Sequence, residues 1–298
     1  MSIDAFLKAH KLPESYKQSA QKWFTPLVNK IGEHQKGANE PFILGIQGCQ
    51  GSGKSTLADY VCHELKNHFK LNVVVCSLDD FYLSQQQRGN LAKTVHPLLQ
   101  TRGVPGTHDT QLLEQVLLHI NQPNTLTPLK IPRFDKSTDN PEPRNKWPVI
   151  SMPVDVFILE GWCWGIPSQD DDKLTEPVND LERNNDDKGI WRKYVNKNLK
   201  DSYEPLYGLV NEWVMLKAPS FEQVATWREE QEQKLRAKQT DNSSNSVMSP
   251  AQVIDFIAYF KRLTEHALKV MPARSHWVYE LGQSREIVSC TLANGECL

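Results

Sequence analysis

The stretch Phe42-Ile43-Leu44-Gly45-Ile46-Gln47-Gly48-Cys49-Gln50-Gly51-Ser52-Gly53-Lys54-Ser55 decides the fold. It opens with a short continuous apolar run, the pattern of a parallel strand buried on both faces. From Gly48 to Ser55 it fits GxxxxGK[ST], and a helical pattern follows over 55–70. Phosphate oxygens need many donors at short range. Glycines without Cβ let successive backbone N–H groups turn inward, and the helix N-terminus adds its positive dipole end. Gly48, Cys49, Gln50, Gly51, Ser52, Gly53, Lys54, Ser55 and Thr56 are therefore expected to bind a nucleotide. Lys54 would reach the β- and γ-phosphates and Ser55 would ligate Mg²⁺. The alternative is a glycine-rich turn that merely closes a β-α junction, and agreement at every motif position and on both flanks argues against it.

Working outward, the run Val73-Val74-Val75-Cys76 marks a second strand over 72–77, completing a β-α-β unit. A helix is expected over 111–120, a third buried strand over 154–159 and a late strand over 211–217. These predict an α/β P-loop fold, a doubly wound, mostly parallel sheet with helices on both faces. Ligands of such sheets bind at the carboxyl ends of the strands, where the second strand delivers Ser77-Leu78-Asp79-Asp80-Phe81-Tyr82. Phosphoryl transfer to a hydroxyl needs a carboxylate there to take the proton. Adjacent strand residues point oppositely, so one aspartate faces the phosphates. Asp79 is the candidate base, with Asp80 the alternative, unless both simply cap a solvated turn. Glu160, at the end of the third strand, is the candidate carboxylate beside the metal, giving Ser55, Asp79 and Glu160 as the metal set.

Before this core, residues 4–36 carry helical spacing broken near Pro13, which suggests an N-terminal helical extension over 1–38. Residues 39–298 then form the P-loop domain, with a lid or cap insertion at about 165–240. Within it, 169–188 holds eight acids and three bases without apolar periodicity, the mark of a solvated loop or cap. A charged helix over 221–236, a linker over 240–249 and a final long helix over 251–270 complete the pattern. The glutamines at 85–87 read as compositional bias.

Composition narrows the function classes. Hydrophobic residues make up 39% and charged residues 23%, and 34 basic against 36 acidic side chains leave a net charge of −2. No basic field recruits nucleic acid or membrane. The six cysteines form no CxxC pair, and no stretch approaches the roughly 20 apolar residues that cross a bilayer. A cytoplasmic protein acting on a small molecule is expected, its oligomeric state left open.

The phosphate loop, the SLDDFY strand end, residues 101–109 (TRGVPGTHD) and residues 130–137 (KIPRFDKS) together resemble D-glycerate 3-kinase of the plant and fungal type. That family belongs to the phosphoribulokinase, uridine kinase and pantothenate kinase group. The likeness continues through Glu160-Gly161-Trp162, Tyr194-Val195-Asn196 and residues 227–232, covering about 40–285. It implies ATP- and Mg²⁺-dependent phosphorylation of a small hydroxylated metabolite, D-glycerate first. A nucleoside, pantothenate or sugar acid, or a non-catalytic ATP-gated switch, is the alternative. A glycerate-like carboxylate needs a cation, for which Arg102, Arg133 and Lys130 are candidates, with His108 and Asp109 able to bind hydroxyls and Asp80 and Tyr82 on the acceptor side. Thr107 or Asp109 is equally suited to cap the next helix. In related kinases a lid adds basic residues, and Arg228 is the candidate here, unless it only pairs along a solvated helix face. Trp162 and Trp164 would wall the acceptor pocket.

Overall fold

A computed structural model describes residues 3–122, 125–236 and 248–298. The linker expected over 240–249 lies largely outside them. Helices α1 (Ile3–His10) and α2 (Ser15–His34) precede strand β1 (Phe42–Gly48), all seven residues of which are buried. Helix α3 (Lys54–Glu64), extended by a π-turn to Phe69, leads into β2 (Val73–Ser77). Helices α4 (Gln85–Thr94) and α5 (Thr110–Ile120) follow. Two small ribbons come next, β3 (Leu129–Lys130) with β6 (Val149–Ile150), and β4 (Phe134–Asp135) with β5 (Asn140–Pro141). The chain then enters β7 (Val156–Gly161), crosses through α6 (Asp180–Asn185), α7 (Ile190–Asn198) and α8 (Glu204–Tyr207), and returns as β8 (Glu212–Lys217). It ends in α9 (Phe221–Arg236), α10 (Pro250–Ala258), α11 (Lys261–Val270), β9 (Trp277–Leu281) and β10 (Ile287–Leu292).

The six-stranded sheet runs β10-β9-β8-β1-β7-β2, parallel except for β10 at one edge. Alternate side chains of its central strands feed two cores. Ile43, Phe157 and Leu159 join α5, α7 and α11 on one face, while Leu44, Ile46 and Ile158 join α2 and α3 on the other. The N-terminal helices thus share a core with the sheet. Register sets Ile46 and Ser77 beside Glu160, so β1, β2 and β7 bring their carboxyl ends together.

Two expectations are corrected, and the glutamine run gains a place in the fold. The acidic stretch 169–188 is not a wholly solvated loop, because Glu182 and Asp186 are each 1% exposed. Arg262 grips Glu182 with Nε and Nη2 at 2.7 and 2.6 Å, and Arg192 bonds Asp186 at 3.0 Å. Removing one partner of such a buried pair strands a charge, at a cost of about 3–5 kcal/mol. The expected final helix breaks at Tyr259 and Phe260 into α10 and α11, and two unforeseen strands follow it. The glutamine run belongs to α4, where the Ser84 side chain accepts from the Gln87 backbone N–H and Gln87 reaches back in a capping box.

Candidate active site

The loop between β1 and α3 turns through Gly51 (φ +78°) and Gly53 (φ +94°), left-handed backbone that favours glycine. At Gly48 a Cβ would stand 2.7 Å from Ser52 Oγ and 3.0 Å from Leu216. No side chain caps the N-terminus of α3, and the buried Ser52 Oγ has no hydrogen-bond partner. Lys54 Nζ donates to the Cys49 carbonyl at 3.3 Å and lies 3.9 Å from Glu160 Oε2. Ser55 Oγ donates to Glu160 Oε1 at 2.9 Å, and Thr56 follows on the first turn of α3. Burial pushes the Cys49 thiol up to about 12 against the pull of Lys54, so it stays protonated. An uncapped helix end, an orphaned hydroxyl, a lysine and glycine-only turns fit a polyphosphate. Among the described residues no three His, Cys, Asp or Glu side chains cluster as a metal site. Ser55 and Glu160 offer the sparse oxygen donors that suit Mg²⁺ completing its shell with phosphate and water.

Across a cavity of about 500 Å³ from this loop stand Asp79 and Asp80. Residues Leu78–Phe81 form a 3-10 turn capped by Ser77, whose Oγ accepts from the Asp79 N–H at 3.3 Å. Asp80 closes the capping box, accepting from the Ser77 N–H at 3.4 Å, and is also bonded by Arg133 Nη1 at 3.2 Å and the Phe134 N–H at 3.3 Å. Burial raises its pKa, with Arg133 opposing. Asp79 instead meets Lys136 Nζ at 2.7 Å. Burial pushes its carboxyl up, but the Lys136 charge and hydrogen bond outweigh this and hold it below its ordinary value. The two aspartates thus divide the alternatives read from sequence: Asp80 supports the turn, and Asp79 keeps its carboxylate ionised at the cavity.

Arg102 lines the same space and pairs with Asp139, whose carboxylate also accepts from Arg88 Nη2 at 2.6 Å. Arg88 is fully buried and additionally bonds the Asp139 carbonyl at 3.1 Å. From α9, Arg228 enters the cavity, its guanidinium 5.4 Å above the Phe256 ring and its Nη2 paired with Glu232. Trp162 and Phe260 pack edge to face at 4.9 Å and supply apolar wall. Trp164 is core, against Trp213. Lys54, Arg102, Lys136 and Arg228 line the cavity with the carboxylates Asp79, Asp80 and Glu160, and each of the four cations has an acidic partner: Glu160, Asp139, Asp79 and Glu232 respectively.

Several sequence candidates stand outside this wall. Asp109 caps α5, accepting from the Leu112 N–H at 2.9 Å. His108 is buried under Tyr82, the rings stacked at 4.4 Å, and its Nδ1 faces Tyr203 Oη at 2.6 Å. Tyr203 Oη also accepts from the Gly106 N–H at 3.3 Å, and burial lowers the His108 pKa to about 3. Tyr82 itself lines the cavity beside Asp79. Arg133 stands behind Asp80, and Lys130 points outward from the β3–β6 ribbon, exposed. Sequence reasoning missed Lys136, Asp139, Phe256 and Phe260. Lys136 lay within the KIPRFDKS stretch, and its type was the available signal. Asp139 is recognisable only once Arg88 and Arg102 are seen around it.

No protein-family model matches the chain. It is 33% identical over 241 residues to an uncharacterized kinase of Schizosaccharomyces pombe, mug58, spanning 78% of this chain and 83% of that one. It is 28% identical over 230 residues to the chloroplastic D-glycerate 3-kinase of Arabidopsis thaliana, 74% of this chain and 46% of that protein. The solved D-glycerate 3-kinase of Cryptococcus neoformans var. grubii matches it with a TM-score of 0.73 at 27% identity, over 94% of this chain and 99% of that one. The phosphate loop at the head of a parallel sheet and these likenesses together place the chain among the ATP-dependent P-loop kinases, in the family that holds mug58 and the D-glycerate 3-kinases.

Proposed function

We propose that this kinase phosphorylates an alcohol group of D-glycerate, forming 3-phosphoglycerate and ADP. The observation that carries the reading is the pairing of walls in one cavity: the phosphate loop with Lys54 on one side, and Asp79 and Arg102 on the other. When bound, ATP supplies the phosphoryl group and Mg²⁺ the neutralisation of its charge. Lys54 and the loop N–H groups hold the phosphates, while Ser55 and Glu160 hold the metal. Arg102, kept at the cavity by Asp139, takes the acceptor carboxylate as a two-pronged donor. Asp79 orients the acceptor hydroxyl and accepts its proton as the new O–P bond forms and the bond to the leaving ADP oxygen breaks. Arg228 adds positive charge from α9, and Trp162, Phe256 and Phe260 exclude water that would hydrolyse ATP.

ADP release with Mg·ATP tests this, comparing D-glycerate with L-glycerate, uridine, pantothenate and ribulose 5-phosphate. Selective turnover of D-glycerate is expected. Preference for uridine or pantothenate would refute the acceptor assignment and leave the kinase class intact.

A further inference from the structure

Arg285 lies in the turn between β9 and β10, more than 230 residues in sequence from the phosphate loop it touches. Its backbone holds φ +69°, the left-handed residue of a tight hairpin turn closed by the Arg285 N–H to the Gly282 carbonyl at 3.1 Å and the Gly282 N–H to the Glu286 carbonyl at 2.8 Å. Its side chain reaches two separate elements, the phosphate loop and α9. Nε donates to the Gly51 carbonyl at 3.0 Å, inside the phosphate loop. Nη2 donates to Glu230 Oε2 at 2.7 Å and to the Trp227 carbonyl at 3.4 Å, both on α9. The guanidinium also lies 5.2 Å above the Trp227 ring. Two bonds to the Gln283 carbonyl sew the same turn to α9, from Trp227 Nε1 at 2.7 Å and from Gln223 Nε2 at 3.2 Å.

The position on α9 matters. Trp227, fully buried, is the residue before Arg228, so the contact grips the turn of helix that presents Arg228 to the cavity. At its other end, a bond to the Gly51 carbonyl fixes the orientation of the peptide plane that Gly51 shares with Ser52. A planar guanidinium can hold both ends at once, because its donors diverge in a rigid fork; a lysine ammonium on a flexible stem has no such geometry.

We propose that Arg285 is a positioning residue that couples nucleotide occupancy of the phosphate loop to the placement of Arg228. This rests on the kinase reading above and adds to it a link between the ATP site and the wall facing the acceptor. Linkage is reciprocal: if filling the loop steadies α9, then loosening α9 weakens nucleotide binding, even from a residue remote from the phosphates.

The test uses the full chain and three variants, Arg285→Ala, Arg285→Lys and Glu230→Gln. Mg·ATP affinity is measured by calorimetry, amide exchange across 221–236 is followed with and without Mg·ATP, and turnover is followed with D-glycerate. In the parent protein Mg·ATP should slow exchange across 221–236. Arg285→Ala should bind ATP roughly tenfold more weakly, the effect of losing one charged donor. It should also lose the nucleotide-dependent slowing and show a lower kcat with KM for glycerate unchanged. Arg285→Lys, which keeps the charge but cannot hold both ends, should restore neither the full ATP affinity nor the slowing, and Glu230→Gln should weaken ATP binding although it does not touch the loop. An Arg285→Ala protein that only melts earlier, with affinity and slowing intact, would overturn the proposal. So would a parent protein whose α9 ignores the nucleotide. If the parent binds ATP and shows the slowing but leaves D-glycerate untouched, the acceptor assignment fails and the coupling stands.

Discussion

On the nucleotide side of the cavity, the groups suited to phosphate come from one unbroken run, Gly48 to Ser55, held by a strand end and a helix start. On the proposed acceptor side, Asp79, Arg102, Lys136 and Arg228 arrive from four separate segments, and each meets a charged partner before any ligand does. The first wall is made largely of backbone, whose geometry is dictated locally by glycines and the helix terminus. The second is made of long side chains, whose aim depends on partners distant in sequence. Damage to the first should therefore remove nucleotide binding, whereas damage to the second should separate acceptor affinity from chemistry.

Asp79→Asn probes that separation most severely. Asparagine keeps the shape and cannot take a proton, so turnover should fall by a factor on the order of 10²–10⁴ while ATP affinity stays near that of the parent protein. A variant with full turnover would shift the base role to Asp80, which the structure occupies with Ser77, Arg133 and Phe134.

Arg102→Met comes next in size. Loss of a two-pronged charged pair with the acceptor carboxylate should raise KM for D-glycerate by about 30- to 100-fold, with ATP affinity unchanged. Asp139→Asn, which leaves Arg102 in place but slackens its hold, should raise the same KM by roughly tenfold. Steady-state kinetics with each substrate varied in turn separates the two effects. An equal rise in KM for ATP would mean that the walls are not independent, and the contrast drawn here would fail.

The same contrast explains what the sequence disclosed. The strands β1, β2 and β7 are apolar up to their carboxyl ends, and an acid or a glycine-rich turn at the end of such a run stands out. The acceptor wall had no comparable signature, since Arg88, Arg102 and Asp139 lie in three segments and become a unit only through folding. Glu182 read as one more acid in a polar run because its partner, Arg262, is 80 residues away. The break between α10 and α11 has no Pro or Gly to announce it. The edge strand β10 is half-buried at four of its six positions, with only Val288 exposed and Cys290 buried, which gives no strong alternation.

His108 offers the smallest and most specific test, because it carries the right chemistry for a ligand and the wrong position. It is buried beneath Tyr82 and bonded to Tyr203, so replacing it should disturb stability more than acceptor binding. Its folded pKa of about 3 lies below the ordinary histidine value of 6.5, because burial penalises the cation. Between those values the unfolded chain takes up a proton that the folded protein refuses. The neutral form's contribution is therefore intact above pH 6.5 and is lost as pH falls towards 3. One such proton is worth about 1.4 kcal/mol per pH unit. His108→Asn should be less stable than the parent at pH 7, yet lose stability less steeply on acidification, as read from urea unfolding at pH 7, 6 and 5. Its KM for D-glycerate should move less than that of Arg102→Met. Parallel pH dependence in the two proteins would mean that His108 takes up its proton alike in the folded and unfolded chains, and that burial does not hold it neutral. A KM rise matching Arg102→Met would place this histidine back in the acceptor wall.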